Sequence, residues 1–215
     1  MELPQVFRMA GQTTSLATYP QKLRAPSAWD STQRLLDVIL VIAASPVWVP
    51  LLLLIMVVKL VVDGRPVLFH HVRLGLNGEP FVLHKIRTTP PDFRPQPDDW
   101  SDGDFPPRTR LGSWLRRFDL DELPQLWNVI RGEMSLVGPR PLPMRDFERL
   151  DDWHKKRYLV LPGITGLWQV SGRAELDFDD LVRLDFVYLE RWSVFLDLSI
   201  LLKTIPAVLT RRGAF

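Results

Sequence analysis

The chain has 215 residues, no cysteine and a formal net charge of +2, and its isoelectric point is near 9.1. This length supports one domain with a hydrophobic core, with or without an attached segment. The absence of cysteine excludes disulfide bonds and thiolate metal sites. A basic chain could bind nucleic acid, but we find no zinc-finger, homeodomain or RNP-type pattern, so we expect no nucleic-acid partner.

The N-terminal part of the chain divides into a polar leader and an apolar segment. Residues 1–28 contain three prolines and show no hydrophobic periodicity, which predicts a flexible leader. No residue from Val38 to Val58 is charged. A helix of that length, about 30 Å, is long enough to span a bilayer. The segment at 29–62 is therefore predicted to enter a membrane.

Two prolines, Pro46 and Pro50, lie inside this apolar segment. Each removes a backbone hydrogen bond and clashes with the preceding turn, and Ser45 can deepen the bend by bonding back to an upstream carbonyl. One geometry is a kinked helix that spans the membrane. The other is a re-entrant helix that breaks at Ser45-Pro46 and returns to the face from which it entered. Basic residues flank both ends, which favours two cytoplasmic ends, but the residues alone leave both geometries open.

The segment after the apolar stretch is predicted to form a β-hairpin. Residues alternate in the manner of strands from Val67 to Ile86, and Asn77-Gly78 is a two-residue turn signal between them. Lys85 and Arg87 follow the second arm, where they either lie at an exposed strand end or face a phosphate. Residues 90–107 are rich in proline and aspartate, and we expect a solvated acidic loop over the site.

The most distinctive stretch runs from Asp119 to Pro141 and reads DLDELPQLWNVIRGEMSLVGPRP. Apolar residues at helical spacing follow its acidic start, at Leu123, Leu126, Trp127 and Ile130. If Asp121 is the N-cap of that helix, Pro124 falls in the first turn, where a missing N–H costs little. Helix capping is therefore the simplest interpretation of Asp121.

Basic residues surround this acidic stretch and favour a second interpretation. They are Arg108, Arg110, Arg116 and Arg117 before the Asp121-Glu122 pair, and Arg131, Arg140 and Arg145 after it. Guanidinium groups would hold the Asp121 carboxylate ionised, as a nucleophile requires, and could also neutralise a pyrophosphate. Asp121 and Glu122 together offer two oxygen ligands to one magnesium ion, which binds carboxylates and substrate phosphates. The stretch therefore predicts phosphoryl chemistry.

The remainder of the chain is predicted to be largely helical. Residues 142–160 are charged and helix-prone, and Asp177 is placed to cap an amphipathic helix. The glycine-rich segment 162–173 lacks the spacing of a nucleotide-binding loop, so it is weak support for a phosphate cradle. The apolar run 192–209 is interrupted by two charged residues and a proline, so we expect it to lie on a membrane or to pack internally.

Three features, in this order, resemble the monotopic polyprenyl-phosphate phosphoglycosyl transferases, a group of bacterial sugar transferases. They are the Ser-Pro-broken apolar segment, LRRFDLDELPQLWNVIRGEMSLVGPRPL and PGITGLWQVSGR. The resemblance covers about residues 30–210. Residues 85–89 read KIRTT where the family pattern is Lys-Phe-Arg-Ser-Met, so only the basic pair is kept. We expect a minimal catalytic form without the four-helix membrane region of longer relatives.

The resemblance implies an enzyme that transfers a sugar 1-phosphate from a UDP-sugar to undecaprenyl phosphate and releases UMP, the first membrane step of a glycan such as an exopolysaccharide. It implies that Asp121 attacks the β-phosphorus to form an aspartyl phosphosugar. It also implies that Glu122 helps to hold Mg2+ or assists the acceptor. The substrate-binding and phosphate-binding residues that it implies are Lys85, Arg87, Arg116, Pro139, Arg140 and Pro141. The sugar itself is left open.

The expected architecture is an α+β fold, mostly helical with a small β-hairpin. The resemblance favours the re-entrant helix broken at Ser45-Pro46 and places a catalytic domain with amphipathic interfacial helices, residues 63–215, on the cytoplasmic face of the bacterial inner membrane. UDP-sugar, undecaprenyl phosphate and membrane lipid are the expected partners, and a homo-oligomer is left open. The alternatives are a non-catalytic membrane-anchored scaffold, whose arginines bind lipid headgroups, and a cytosolic domain on one spanning helix.

Overall fold

The computed structural model describes residues 27–93, 106–142, 147, 150–171 and 178–210. The helices and strands in chain order are α1 Ser27–Asp63, β1 Leu68–Leu74, β2 Pro80–Ile86, α2 Arg110–Arg117, α3 Gln125–Arg131, β3 Ser135–Val137, α4 Asp152–Lys155, β4 Gly163–Thr165, α5 Leu167–Ser171, α6 Phe178–Arg191 and α7 Val194–Thr210. The expected α+β fold, mostly helical with a small hairpin, is confirmed. Residues 1–26 of the predicted leader, most of the acidic loop, and Asp177 lie outside the described residues, and the last two leader positions begin α1.

Strands β1 and β2 form the predicted hairpin. They pair antiparallel from Leu68 opposite Ile86 to Leu74 opposite Pro80. Asn77 and Gly78 both have positive φ angles, which asparagine and glycine adopt more readily than other residues. The connection is longer than the predicted two-residue turn, because the Gly75 N–H donates to the Glu79 carbonyl at 2.8 Å and closes a five-residue loop.

A second, parallel strand pair was not predicted from the sequence. β3 lies beside β4, with Ser135 opposite Gly163 and Val137 opposite Thr165. Each strand has only three residues, so neither carries a recognisable alternation of apolar and polar positions. This pair brings the glycine-rich segment against the turn that follows β3.

Helix α1 is continuous through both prolines, so the predicted interruption at Ser45-Pro46 is not confirmed. The helix also begins at Ser27 and ends at Asp63, slightly beyond the predicted bounds of 29–62. The Trp48 indole N–H donates to the Val41 carbonyl at 3.0 Å, a side-chain bond that supplements the main-chain ladder close to the prolines. Its stretch Ser31–Asp63 is long and apolar enough to cross a membrane by length and composition.

The two ends of α1 pack against the rest of the molecule. Near its start, Gln33 donates to the Val137 carbonyl at 2.9 Å, and Asp37 accepts from the Leu136 N–H at 3.1 Å. Near its end, Lys59 is fully buried and donates to Thr109 Oγ1 at 3.2 Å. Contacts with the same domain are therefore made about 39 Å apart along the helix path.

The middle of α1 is less buried: Trp48, Leu51 and Leu52 pack partly on the core, but no residue from Ile42 to Leu54 is buried. Several apolar side chains there are well exposed, and Val47 is 73% exposed. Helix α7 also carries an exposed apolar stripe along one side. Its members are Phe195, Leu198, Leu202 and Ile205. These two surfaces are apolar faces that the described part of the chain does not cover.

Candidate active site

Asp121 lies in a short 3-10 turn, Leu120–Glu122, between α2 and α3. The interpretation of Asp121 as a helix N-cap is wrong, because α3 begins at Gln125 and Pro124 precedes it without a capping side chain. Successive short turns satisfy the main chain instead, for example through Glu122 N–H to the Asp119 carbonyl at 3.1 Å. Asp121 is buried, and its Oδ1 has no hydrogen-bond partner among the described residues.

Glu122, the next residue, is held by two cations. Lys85 Nζ and Arg140 Nη2 each lie 2.6 Å from Glu122 Oε1, and Arg140 Nη1 lies 3.3 Å from Oε2. Lys85 comes from the end of β2, and Arg140 comes from the turn after β3. Both oxygens of Glu122 are therefore engaged, and this ion cluster joins the hairpin to the Gly138–Pro141 turn.

The two carboxyl groups have opposite pKa shifts. Burial would raise the pKa of Glu122, but the charges of Arg140 and Lys85 outweigh it and hold that pKa well below its usual range. Burial raises the pKa of Asp121 to about 6, because the opposing charge of Lys85 offsets only part of the effect and Glu122 adds repulsion. The Arg116 charge acts in the predicted direction and lowers the pKa of Asp121, but burial outweighs it, and the carboxylate is mostly ionised above pH 6.

A cleft of about 480 Å³ opens beside Asp121. Lys85 and Arg116 line it with Asp121, and much of the remaining wall is apolar. The apolar lining includes Pro66, Phe69, Leu83, Ile86, Pro91, Phe93 and Pro106. The arrangement therefore presents one carboxylate and at least two cations to a ligand that also has an apolar part.

The Gly138–Pro141 turn is fixed by the glycine-rich segment rather than by a ligand. Gly138 N–H donates to the Thr165 carbonyl, and Gly163 N–H donates to the Pro139 carbonyl, both at 2.9 Å. A Cβ on Gly163 would lie 2.1 Å from Gly138 N, which no side chain permits. The segment 162–173 therefore acts, in its described part, as a close-packed wall that holds the turn and with it Arg140.

Arg87, another predicted phosphate ligand, also lines the cleft, but the main chain engages its guanidinium. It is buried, and its guanidinium donates to the carbonyls of Pro66, Thr89, Asp63 and Gly64. These contacts fasten the end of α1 to the end of β2. The donors of Arg87 are thus committed to the main chain, whereas Lys85, Arg116 and Arg140 lie around the carboxylate pair.

The residues fit the predicted magnesium ion in part. Asp121 Oδ1 is a buried oxygen without a partner in the described part of the chain, which suits a hard cation shared with substrate phosphates. Glu122 does not offer a free oxygen, because Lys85 and Arg140 engage it. Among the described residues, no group of three or more His, Cys, Asp or Glu side chains could hold a metal ion.

Comparison with known proteins agrees with this geometry. The family model for bacterial sugar transferases matches residues 28–211. The chain belongs to the bacterial sugar transferase family. This sugar transferase is therefore an enzyme, and the match includes the carboxylate pair, the Gly138–Pro141 turn and the apolar helix α1.

Several similar proteins have informative names. The exopolysaccharide production protein ExoY of Rhizobium meliloti is 40% identical over 198 residues, covering 85% of this sugar transferase and 88% of ExoY. The undecaprenyl-phosphate galactose phosphotransferase of Salmonella typhimurium is 37% identical over 194 residues, covering 83% of this chain and 40% of that protein. The undecaprenyl-phosphate glucose phosphotransferase of Komagataeibacter xylinus is 39% identical over 211 residues, covering 89% and 38%.

Sequence reasoning missed two supports of the sugar transferase site. Asn128 is fully buried and donates to the Val82 carbonyl at 2.7 Å, which fastens α3 to β2 and brings Glu122 within reach of Lys85. A buried ion pair, Arg157 with Asp185, contacts the turn that carries Arg140. The only signal for Asp185 was a charged residue on the buried face of an amphipathic helix.

Proposed function

We propose that this enzyme transfers a sugar 1-phosphate from a UDP-sugar to undecaprenyl phosphate, releases UMP and so begins the assembly of a surface polysaccharide. The observation that carries the proposal is the contrast inside the carboxylate pair. Asp121 lines the cleft and its buried Oδ1 has no partner among the described residues, while its neighbour Glu122 is engaged by two cations. The names of the similar undecaprenyl-phosphate phosphotransferases support the acceptor and the reaction type.

In the first step an Asp121 oxygen attacks the β-phosphorus of the UDP-sugar. A phosphorus–oxygen bond forms to the carboxylate, and the bond from the β-phosphorus to the bridging oxygen breaks, so that UMP leaves with the electron pair. In the second step a phosphate oxygen of undecaprenyl phosphate attacks the same phosphorus and releases the Asp121 carboxylate. Covalent catalysis of this kind replaces one difficult displacement by two easier ones.

The cations around the pair would stabilise charge on the transferring group. Lys85 and Arg116 line the cleft, and the Arg140 side chain is partly exposed. Their fixed positions give them more effect than mobile cations would have, because no reorganisation is needed during the reaction. We assign Glu122 to holding Lys85 and Arg140 in place, in addition to any part it takes in binding the acceptor.

Asp121 and the substrate phosphates would hold a magnesium ion. Bound there, the ion would neutralise negative charge on the pyrophosphate and its leaving group. The unpartnered Asp121 oxygen supports this assignment, while Glu122 would have to release a cation to join it.

The packing of α1 supports a re-entrant anchor with the catalytic domain on the cytoplasmic face of the inner membrane. A spanning helix places its ends about 30 Å apart on opposite sides of the hydrocarbon layer. Here Gln33 and Lys59, near opposite ends, both contact the same domain, and Trp48 and Leu51 between them pack partly on its core. A helix that lies along one domain and exposes apolar residues between its ends suits an anchor that enters one side of a membrane.

Exposed apolar residues elsewhere support interfacial helices. The α7 stripe of Phe195, Leu198, Leu202 and Ile205 faces away from the core, and Trp114 on α2 is exposed beside basic residues. Tryptophan and arginine together suit the headgroup layer of a membrane. These surfaces would keep the cleft close to a lipid acceptor that cannot leave the bilayer.

The test of the reaction is UMP release from a panel of UDP-sugars, with undecaprenyl phosphate and magnesium, by the full chain in nanodiscs. The comparison is between the wild type, Asp121→Asn and the surface control Asp152→Asn. Release that Asp121→Asn alone abolishes, with mass spectrometry finding the phosphosugar on Asp121, is the expected result. Equal release by all three proteins would refute the nucleophile. Release by none would favour a non-catalytic scaffold.

The test of the anchor uses single cysteines, since the chain has none of its own. Thr18→Cys reports the N-terminal side of α1, and Ser113→Cys on exposed α2 reports the catalytic domain. We expect a membrane-impermeant maleimide to label neither residue in intact spheroplasts and both after lysis. Labelling of Thr18→Cys alone in intact spheroplasts would establish a spanning helix instead.

A further inference from the structure

The Gly138–Pro141 turn has to be held mainly through its carbonyl groups. Pro139 and Pro141 have no N–H to donate, so two of its four residues cannot form the usual main-chain donor bonds. Three successive carbonyls each accept from a different part of the fold. The Pro139 carbonyl accepts from Gly163 N–H at 2.9 Å, that of Arg140 from Arg157 Nη2 at 3.0 Å, and that of Pro141 from Arg73 Nη1 at 3.3 Å.

The middle contact is made by a buried ion pair. Arg157 is 4% exposed and Asp185 is 1% exposed, and Arg157 Nη2 lies 2.7 Å from Asp185 Oδ2. Arg157 comes from the 3-10 turn Lys156–Leu159, and Asp185 comes from the buried face of α6. Removing one partner of such a pair leaves an uncompensated buried charge, which is costly. The Asp185 carboxylate therefore holds the Arg157 guanidinium in its place.

We propose that Arg157, held by Asp185, is a positioning residue that sets the place of Arg140 against Glu122. The contact falls on the main-chain carbonyl of Arg140 itself, while the guanidinium of the same residue reaches Glu122 at 2.6 Å. The backbone is thus fixed on one side and the side chain on the other. Arg157 is too deeply buried to meet a substrate in the cleft, so its effect on the reaction passes through Arg140.

This inference rests on the proposed function to the extent that Arg140 serves phosphoryl transfer. A small shift of a charged group away from the reacting atoms costs rate, because electrostatic stabilisation depends on placement. We therefore expect Arg157→Gln to lower kcat for UMP release roughly 10- to 100-fold, with a smaller change in KM. Asp185→Asn should give a smaller loss in the same direction, and Arg157→Lys, which keeps the charge, should restore part of the rate.

The matched control lies on the same helix as Asp185. Arg183 and Asp180 form an exposed ion pair on α6 with a 2.9 Å contact. Arg183→Gln removes the same guanidinium and breaks a pair of the same type, but an exposed pair contributes little to stability. We expect its kcat, KM and thermal unfolding to match those of the wild type.

Two measurements separate positioning from general destabilisation. The first is a double-variant cycle in kcat, in which Arg140→Gln with Arg157→Gln should be no slower than Arg140→Gln alone. The second is NMR of the arginine-labelled chain, with the Arg140 guanidinium signals assigned by their loss in Arg140→Lys. Those signals should change from a restrained to a freely rotating guanidinium in Arg157→Gln, and also in Asp185→Asn should Arg157→Gln fail to fold.

Losses that multiply in the double variant, or an Arg140 signal unchanged in Asp185→Asn, would overturn the proposal. If the wild type releases UMP from no donor, the proposed function fails on its own. The Arg140 signal still decides the positioning in that case, because it is measured without substrate.

Discussion

Asp121 and Glu122 are adjacent and both buried, but they differ in their contacts with cations and in the direction of their pKa shifts. On the Glu122 side the charge is matched by Lys85 and Arg140, and its pKa is held well below the usual range. On the Asp121 side one oxygen has no partner among the described residues, and burial raises the pKa to about 6. Since both carboxyl groups are buried, the neighbouring charges decide the direction in which each pKa shifts.

This difference indicates a division of labour. Both oxygens of Glu122 are engaged by the two cations that it keeps beside the cleft, whereas Asp121 has one oxygen without a partner among the described residues and a pKa raised to about 6. A nucleophile needs a free lone pair and a neighbouring field that favours its product. We therefore expect Asp121 to be the reactive carboxylate and Glu122 to support it.

The largest expected effect is on the Asp121 side. Asp121→Asn should lower UMP release by about 1,000-fold or more, because an amide cannot replace the attacking carboxylate. Circular dichroism and thermal unfolding should show an intact fold, since the uncharged side chain is isosteric. A rate within tenfold of the wild type would show that Asp121 is not the nucleophile.

The next effect is on the Glu122 side and is one of stability. Glu122→Gln leaves Lys85 and Arg140 without their shared anion, and we expect a loss of roughly 3 kcal/mol in the free energy of unfolding. Urea unfolding of the detergent-solubilised chain would measure it. Adding Lys85→Met to Glu122→Gln should recover part of the loss, because one of the two stranded charges is removed. An unchanged free energy of unfolding in Glu122→Gln would show that the Lys85–Glu122–Arg140 cluster does not stabilise the fold.

A third prediction has the opposite sign and concerns Asp121 again. The pKa of Asp121 is raised in the folded chain, so the folded state binds this proton more tightly than the unfolded state does. The contribution of Asp121 to stability is therefore fully present below its unfolded pKa. It is lost as the pH rises through about 6. Asp121→Asn mimics the protonated form. It should therefore stabilise the chain by roughly 1–3 kcal/mol at pH 7.5 and by almost nothing at pH 4, without magnesium. Destabilisation at pH 7.5 would contradict the raised pKa.

The smallest predicted effect is the pH profile of the rate. UMP release should fall below pH 6 by up to tenfold per pH unit, because protonation of Asp121 removes the attacking lone pair. The measurement is kcat/KM from pH 5 to 8 in constant ionic strength, with Asp152→Asn as the matched surface control. A rate that stays constant down to pH 5 would contradict the raised pKa of Asp121.

Local features of this fold could be predicted from the sequence. The hairpin follows from alternation and Asn77-Gly78, and the apolar helix follows from its uncharged run. The grouping of Asp121 and Glu122 with distant basic residues was predictable from motif resemblance. Their individual roles were not predictable, because the sequence does not say which carboxylate Lys85 and Arg140 would reach.

The rest depends on contacts between residues far apart in the chain. Arg87 was expected to bind phosphate, but the carbonyls it holds belong to a turn some 20 residues earlier. The short strands β3 and β4 carry too few residues for periodicity to show. The Arg157–Asp185 pair joins two helical segments, and the sequence around each residue does not predict that it contacts the other.

The close approach of Gly138 and Gly163 has a consequence for how such a sequence can change over generations. Each backbone forms the wall against which the other packs, so a side chain at either position meets main-chain atoms that cannot move aside. A compensating substitution at the second position would add atoms to a space that is already full. Neither glycine can therefore be replaced independently of the other, and we expect related sequences that keep the Gly138–Pro141 turn to keep both glycines.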